Sequence, residues 1–437
     1  MLRALYKSAS LRAAAVLGMG GLAFTLANLI LARTLPSQEY GLVSLVIGII
    51  SVAGLAAPLG LDLVVSRRGL LLDSGLRHAI LGISTLMGLL TVAISAACYR
   101  LSAPLSICVL VTTIASGLVQ ASAAHFQGQR RFGPATWIVQ LSNWTLFFAA
   151  LLTPLLGFDT ALGPCALLAL TTAVGGAITW VLAAREAARP RPVGPMQPNP
   201  RALLGEAFSL VSIHACNAVF LQLERLLLAP VAGVQMLALF GVVAALVASP
   251  FRMLQMAVLF TLIPNLRQAR DFQERRRLLL REMALVAGVI GAGSVVIWVV
   301  APPLAHGFLA GRYDLSNALM GAALVAGVLK LCSAFATGTV IALAEDKGLR
   351  TLSLVSWATI GLSVLGAFVA APWGLVGVLY GISFGWLARS LIAAWLAVST
   401  GLLRAGAVAP HPQAPPSDAP RQATPSADRS QTPCAQR

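Results

Sequence analysis

The sequence predicts an all-α polytopic membrane protein of about twelve transmembrane helices, arranged as two six-helix bundles around a central cavity. Three observations predict it. The chain of 437 residues is 58% hydrophobic and only 11% charged, with a mean hydropathy of +0.83, well outside the composition of soluble globular domains. Apolar windows recur from end to end, each near the roughly 20 residues that a helix needs to cross about 30 Å of hydrocarbon. Basic residues gather in every second connecting segment, which sets both the number of spans and their direction. The alternating ten-residue segments of a membrane β-barrel are absent from the sequence.

In order, the windows place spans near 13–35, 41–65, 79–99, 103–124, 135–156 and 161–183 in the first half. The second half places them near 206–229, 235–264, 283–305, 315–344, 351–371 and 374–401. The first window is long and lacks a small-residue cleavage site, so it reads as a retained helix and not as a cleaved leader. A polar turn, "PSQEYG" at 36–41, separates it from the second. The segment 185–205 is rich in proline and arginine and reads as a cytoplasmic linker between a bundle at 1–184 and a bundle at 206–404. Within the eighth span, Pro250 is placed to break or kink the helix. Before the ninth, "ERRRLLLRE" at 274–282 reads as an amphipathic helix resting on anionic headgroups. The stretch 405–437, dominated by proline, alanine and serine, cannot bury enough apolar surface to order itself and is expected to be a disordered cytoplasmic tail.

With the N-terminus cytoplasmic, the inner segments hold 24 Lys and Arg and the outer turns hold 3, namely Arg33, Arg100 and Arg312. The expected placement is a multi-pass membrane protein with both termini cytoplasmic. The net charge of +16 is then a topology signal, and no folded basic domain is available for nucleic acid. Six cysteines show no paired spacing for disulfides or a metal and read as small apolar fillers. Six spans per half means that both halves enter the membrane in the same sense, as parallel repeats do. Three echoes in the same order support a duplication: "LARTLPSQEYGLV" with "LLAPVAGVQMLALF", "QGQRRF" with "AEDKGLR", and "GFDTALG" with "APWGLVG".

Ala32-Arg33 followed by "PSQEYG", the run "LERLLLAPVAGVQMLALF" at 223–240, "IPNLR" at 263–267 and "LAEDKGLR" at 343–350 resemble the bacterial polysaccharide flippases. These are oligosaccharide-lipid exporters of the multidrug, oligosaccharidyl-lipid and polysaccharide transporter (MOP) superfamily. The resemblance covers nearly all of residues 1–404. It implies a transporter of a bacterial inner membrane that flips a polyprenyl-pyrophosphate-linked oligosaccharide, or exports polysaccharide repeat units, by alternating access. Its implied partners are that lipid-linked oligosaccharide, membrane lipids and other membrane proteins of polysaccharide assembly.

A charge at the centre of a membrane helix costs about 2.5–3.5 kcal/mol on insertion scales, so charges inside spans are functional candidates. Counting helix rise from each span's start puts Arg33 and the Glu224–Arg225 pair near the outer ends of spans one and seven. Lys330 and Arg389 come near the middle of spans ten and twelve, and Arg252 lies deeper in span eight. Together they are expected to form a ladder of positive charge for an anionic headgroup, with Lys330 and Arg389 the most telling. Structural readings compete at the same residues. Arg33 can snorkel to the interface, Glu224 and Arg225 can serve separate salt bridges, and Arg252 can be a solvated charge beyond a break at Pro250. Asn28, Gln120, Gln140, Asn143, His214, Asn217, Gln222 and Gln255 suit sugar contacts or interhelical hydrogen bonds. No catalytic residue, metal-ligand set or cofactor motif is read. The competing functions are a drug or cation antiporter of the same superfamily, which needs buried carboxylates, and a membrane-bound polysaccharide polymerase or ligase, which needs a sizeable catalytic outer loop.

Overall fold

The computed structural model describes residues 9–129, 131–188, 200–269, 271–344 and 346–399, and these are helical throughout with no strand among them. Most of the expected linker and all of the expected tail at 405–437 lie outside the described residues. In the first half the helices are α1 (Ala9–Thr34), α2 (Ser37–Ala56), α3 (Leu61–Arg68), α4 (Ser74–Tyr99), α5 (Ala103–Gly128), α6 (Phe132–Val139), α7 (Leu141–Leu155) and α8 (Leu162–Ala187). In the second half they are α9 (Pro200–Ala232), α10 (Val234–Val243), α11 (Ser249–Gln268), α12 (Phe272–Phe308), α13 (Asn317–Leu343), α14 (Asp346–Ala370) and α15 (Gly374–Ser399).

Among the described residues, nine stretches are long and apolar enough to cross a membrane, or ten when the bent pair α6–α7 counts as one span. One of these stretches, Gly348–Ser399, holds two helices folded against each other at the 3-10 turn Ala371–Trp373. With α1 at the front, the order of elements follows the expected spans. Several re-entry points are set by side-chain caps that satisfy exposed helix-end N–H groups. Asp73 accepts from the Leu76 N–H at 2.8 Å, Asp271 from Glu274 at 2.7 Å and Ser316 from Leu319 at 3.2 Å.

Three of the expected spans are interrupted, two without warning and the eighth beside the proline expected to break it. The second breaks after Pro58, where Leu59 and Gly60 adopt left-handed φ of 48° and 77°, so that α3 leaves the line of α2. The fifth bends by 41° at Gln140. The eighth passes through a π-helical turn, Ala244–Ala248, just before Pro250, and the Ser249 hydroxyl donates to the Ala244 carbonyl five residues back at 3.1 Å. A wide turn here accommodates the missing proline N–H. The basic run at 274–282 is continuous with the ninth span inside α12, a 37-residue helix of which only Arg275, Val286, Ala301 and Ala305 are buried.

The helices group into two lobes. In the first, α5 packs on α4 and α8, and α1 packs on α7; in the second, α15 packs on α13 and α14. Small residues bring helices into close contact, as membrane helices favour. At the α14–α15 crossing a Cβ on Gly381 would fall 2.3 Å from the Gly366 carbonyl oxygen. The outer surface exposes Leu86, Leu155, Val299, Leu354 and Trp395, an apolar belt suited to lipid.

Across the lobe boundary, α2 lies on α9 and α10. Gly41 sets the first contact, where a Cβ would come 2.2 Å from the Val234 carbonyl oxygen, and Gly48 sets the second, 3.0 Å from the Arg225 Cβ. The Gly41 contact falls at the end of the molecule that carries the turns at 35–36, 233 and 309–316, and the Gly48 contact lies near the middle of α2. The end with these turns is poor in arginine, and the other end is the basic one.

Candidate functional site: a cavity between the lobes and the intramembrane charges

A cavity of about 760 Å³ lies between the lobes. The first lobe lines it with Phe24, Ser51, Ser116, Gln120, Gln140 and Asn143, among others; the second lobe contributes α11 around Arg252 and α12 from Val289 to Ile297. Glycines hollow it out. Gly20 makes room for Gln140, whose Oε1 would sit 1.9 Å from an added Cβ, and Gly21 makes room for Met253. Gln140 in turn accepts from the Asn143 amide at 2.6 Å. One wall therefore offers amides and hydroxyls, and the facing wall offers one guanidinium. No carboxylate lines the cavity among the described residues.

Of the six charged candidates, only Arg252 lines this cavity. It is exposed within it, and its Cζ stands 5.7 Å from the centroid of the Phe24 ring. Arg225 approaches the same ring at 5.3 Å, but it is sealed above the cavity with 4% of its surface exposed. Its Nη2 donates to Asn28 Oδ1 at 3.5 Å.

The expected ladder does not continue through Lys330 and Arg389. Lys330 Nζ lies 2.5 Å from Glu224 Oε1, a pair buried in the second lobe with side-chain exposures of 13% and 3%. Arg389 donates to Asn217 Oδ1 and lies against the rings of Phe220 at 5.3 Å and Trp386 at 5.7 Å. Both cations face the interior of their own lobe. The physical reason is that depth along a helix and direction around it are independent, and only depth follows from counting residues. Glu224 and Arg225, adjacent in sequence, point about 100° apart and serve different neighbours.

Arg33 sits at the arginine-poor end, exposed, with its Cζ 5.1 Å from the Phe308 ring of the other lobe. Arg312 returns the contact, donating to the backbone carbonyls of Arg33 at 3.0 Å and Leu35 at 3.4 Å. Tyr40 and Tyr313 meet edge to face at 6.5 Å, and the Tyr99 hydroxyl donates to the Leu226 carbonyl at 3.1 Å. These contacts join the lobes at that end as a latch. Removing the three contacts of the 308–312 segment by Phe308→Ala with Arg312→Ala is expected to release about 1 kcal/mol of closure energy and to enrich the parted state about fivefold. Spin labels at the exposed positions Gln38 and Asn317 should then gain a longer-distance population; an unchanged distance distribution would deny the latch its role.

Sequence reasoning missed the aromatic and small residues of the site. Phe24, Ser51, Ser116 and Gly21 carry no signal in a hydropathy scan, whereas Gln120, Gln140 and Asn143 stood out as polar groups in apolar runs.

The fold and cavity define a multi-pass membrane protein of two helical lobes about a shared chamber. No protein-family model matches the sequence, and no curated protein does. Solved structures do match. An inward-facing multidrug resistance MATE family transporter of the MOP superfamily aligns at a TM-score of 0.61 and 14% identity, over 91% of this chain and 99% of that one. An outward-facing structure of a MATE family transporter aligns at 0.56 and 15%, over 91% and 96%. A MOP superfamily transporter from Pyrococcus furiosus, described as having a binding pocket of reverse polarity that suggests a different function, aligns at 0.50 and 15%, over 89% and 96%. The chain therefore has the fold of the MOP superfamily transporters.

Proposed function

We propose that the protein is a membrane transporter that moves an anionic amphiphile, a polyprenyl-pyrophosphate-linked oligosaccharide, across the membrane by alternating access. The observation that carries this reading is the charge of the cavity, whose only charged lining residue among those described is Arg252. A guanidinium in a chamber walled by protein offsets the lost hydration of a diphosphate by bidentate, charge-assisted hydrogen bonds. The facing amides and hydroxyls suit sugar hydroxyls, and about 760 Å³ matches the size range of small-molecule sites. An organic cation would find no carboxylate there, which weighs against the drug or cation alternative. With the basic end on the cytoplasmic side, the latch closes the outer face and the cavity belongs to the cytoplasmic half. The higher similarity to the inward-facing transporter supports that state.

Arg252→Gln is expected to lower translocation of a lipid-linked oligosaccharide in proteoliposomes by at least tenfold. Arg252→Lys should keep part of it, since lysine retains the charge and loses the fork. Unimpaired translocation in a properly inserted Arg252→Gln protein would sink the reading. Efflux of an organic cation, with no movement of the glycolipid by the unaltered protein, would replace it with the antiporter.

A further inference from the structure

We infer that Arg225 and Arg252 are two successive stations for the phosphate groups of the cargo, divided by the Phe24 ring and opened to opposite sides of the membrane in turn. The inference rests on the anionic cargo proposed above and adds the route. Both guanidiniums come from second-lobe helices, α9 and α11, and both lie within 6 Å of one first-lobe ring, at 5.3 and 5.7 Å. By helix rise, Arg225 stands roughly 10 Å, Phe24 roughly 15 Å and the Arg252 backbone roughly 27 Å from the arginine-poor ends of their spans. Arg252 reaches up to the ring from the cavity side. Arg225 meets it from above.

The two sites differ in access. Arg252 is exposed to the cavity. Arg225 is buried, and its Nη1 has no hydrogen-bond partner among the described residues. The neighbouring carboxylate, Glu224, is held by Lys330, and the Nη2 bond of Arg225 to Asn28 is long at 3.5 Å. A buried cation with an unspent N–H is costly in a closed structure. That donor is available to an acceptor that arrives in another state.

What seals Arg225 comes from the other lobe. Gly48 packs so close that a Cβ added there would fall 3.0 Å from the Arg225 Cβ, Phe24 lies against its guanidinium, and Asn28 holds its Nη2 while accepting from the Tyr40 hydroxyl. All four residues belong to α1 and α2. Parting the lobes at the arginine-poor end removes them together, so Arg225 becomes accessible from that side in the same motion that takes Phe24 away. A diphosphate bound first by Arg252 would then find a second guanidinium facing the opposite compartment.

Two measurements test this. In a cysteine-free background in sealed vesicles of known orientation, a charged thiol reagent should modify the thiol introduced by Arg252→Cys from the basic side. The thiol introduced by Arg225→Cys should resist from that side, and should react from the opposite side once Phe308→Ala and Arg312→Ala weaken the latch. In the second measurement, Arg252→Gln should weaken binding of inorganic pyrophosphate by at least tenfold, whereas Arg225→Gln should weaken it less than threefold yet lower glycolipid translocation at least tenfold. A polyprenyl diphosphate in nanodiscs, run beside inorganic pyrophosphate, separates recognition of the shared diphosphate from a contribution of the lipid. Reaction of both thiols from the basic side, or equal losses of pyrophosphate binding in the two variants, would overturn the two stations while leaving the anionic cargo standing. Absence of any diphosphate binding by the unaltered protein would overturn both.

Discussion

Lys330→Met should destabilise the protein by about 3–5 kcal/mol, the usual cost of leaving one partner of a buried ion pair alone. Its Nζ lies 2.5 Å from Glu224 Oε1, and the glutamate side chain is 3% exposed. So little of that carboxylate is exposed that bulk solvent is a poor substitute for the ammonium. Glu224→Gln combined with Lys330→Met removes both charges and their desolvation together, so the double variant should recover most of the loss. Thermal unfolding of the detergent-solubilised protein, followed by size exclusion, measures both. Equal stability of the single variant and the unaltered protein would mean that the pair contributes nothing to the lobe. Because the pair lies away from the cavity, the double variant is also expected to transport, whereas Arg252→Gln is not.

Gly381→Val is expected to lower the yield of monodisperse protein by more than tenfold. An added Cβ would meet the Gly366 carbonyl oxygen at 2.3 Å and the Ala367 nitrogen at 2.8 Å. These are backbone atoms of a helix and cannot rotate aside, so the crossing of α14 and α15 must open. Overpacking of this kind costs about 1–3 kcal/mol for small insertions and more where backbone is the obstacle. Gly361→Val in the same helix α14 is the control, because a Cβ there meets nothing within 4 Å. Similar yields for the two variants would contradict the close crossing.

The order of the spans was legible because hydrophobic length and the distribution of arginine are both linear properties of the chain. The breaks at Leu59–Gly60 and Gln140 were not, since a hydropathy window registers apolar content and is blind to the path of the axis. Pro250 marked the third, at Ala244–Ala248, in advance, and Pro58 flanked one of the other two without being weighed.

Among the site residues, Arg252 was readable as a charge in an apolar run, and so were Lys330 and Arg389. Nothing in a single sequence told them apart. Their separation depends on which way each helix turns, and on partners as distant as Glu224 for Lys330 and Asn217 for Arg389. Phe24 was invisible because an aromatic in an apolar span has no distinguishing neighbour in the chain. The Arg312 contacts to Arg33 and Leu35 were beyond reach for the same reason, since backbone carbonyls carry no residue code.

One wall of the chamber differs mechanically from the rest. Helix α12 contributes Val289 to Ile297 to the lining, yet only four of its 37 residues are buried, and a Cβ on Gly288, Gly291 or Gly293 would meet no described atom within 4 Å. Local rearrangements follow the path on which the fewest packed contacts are lost. That imbalance makes α12 the wall of the chamber with the least packing to lose when the chamber changes shape. For the glycolipid cargo proposed above, this wall is the one across which a headgroup in the chamber and a tail in the bilayer would be joined.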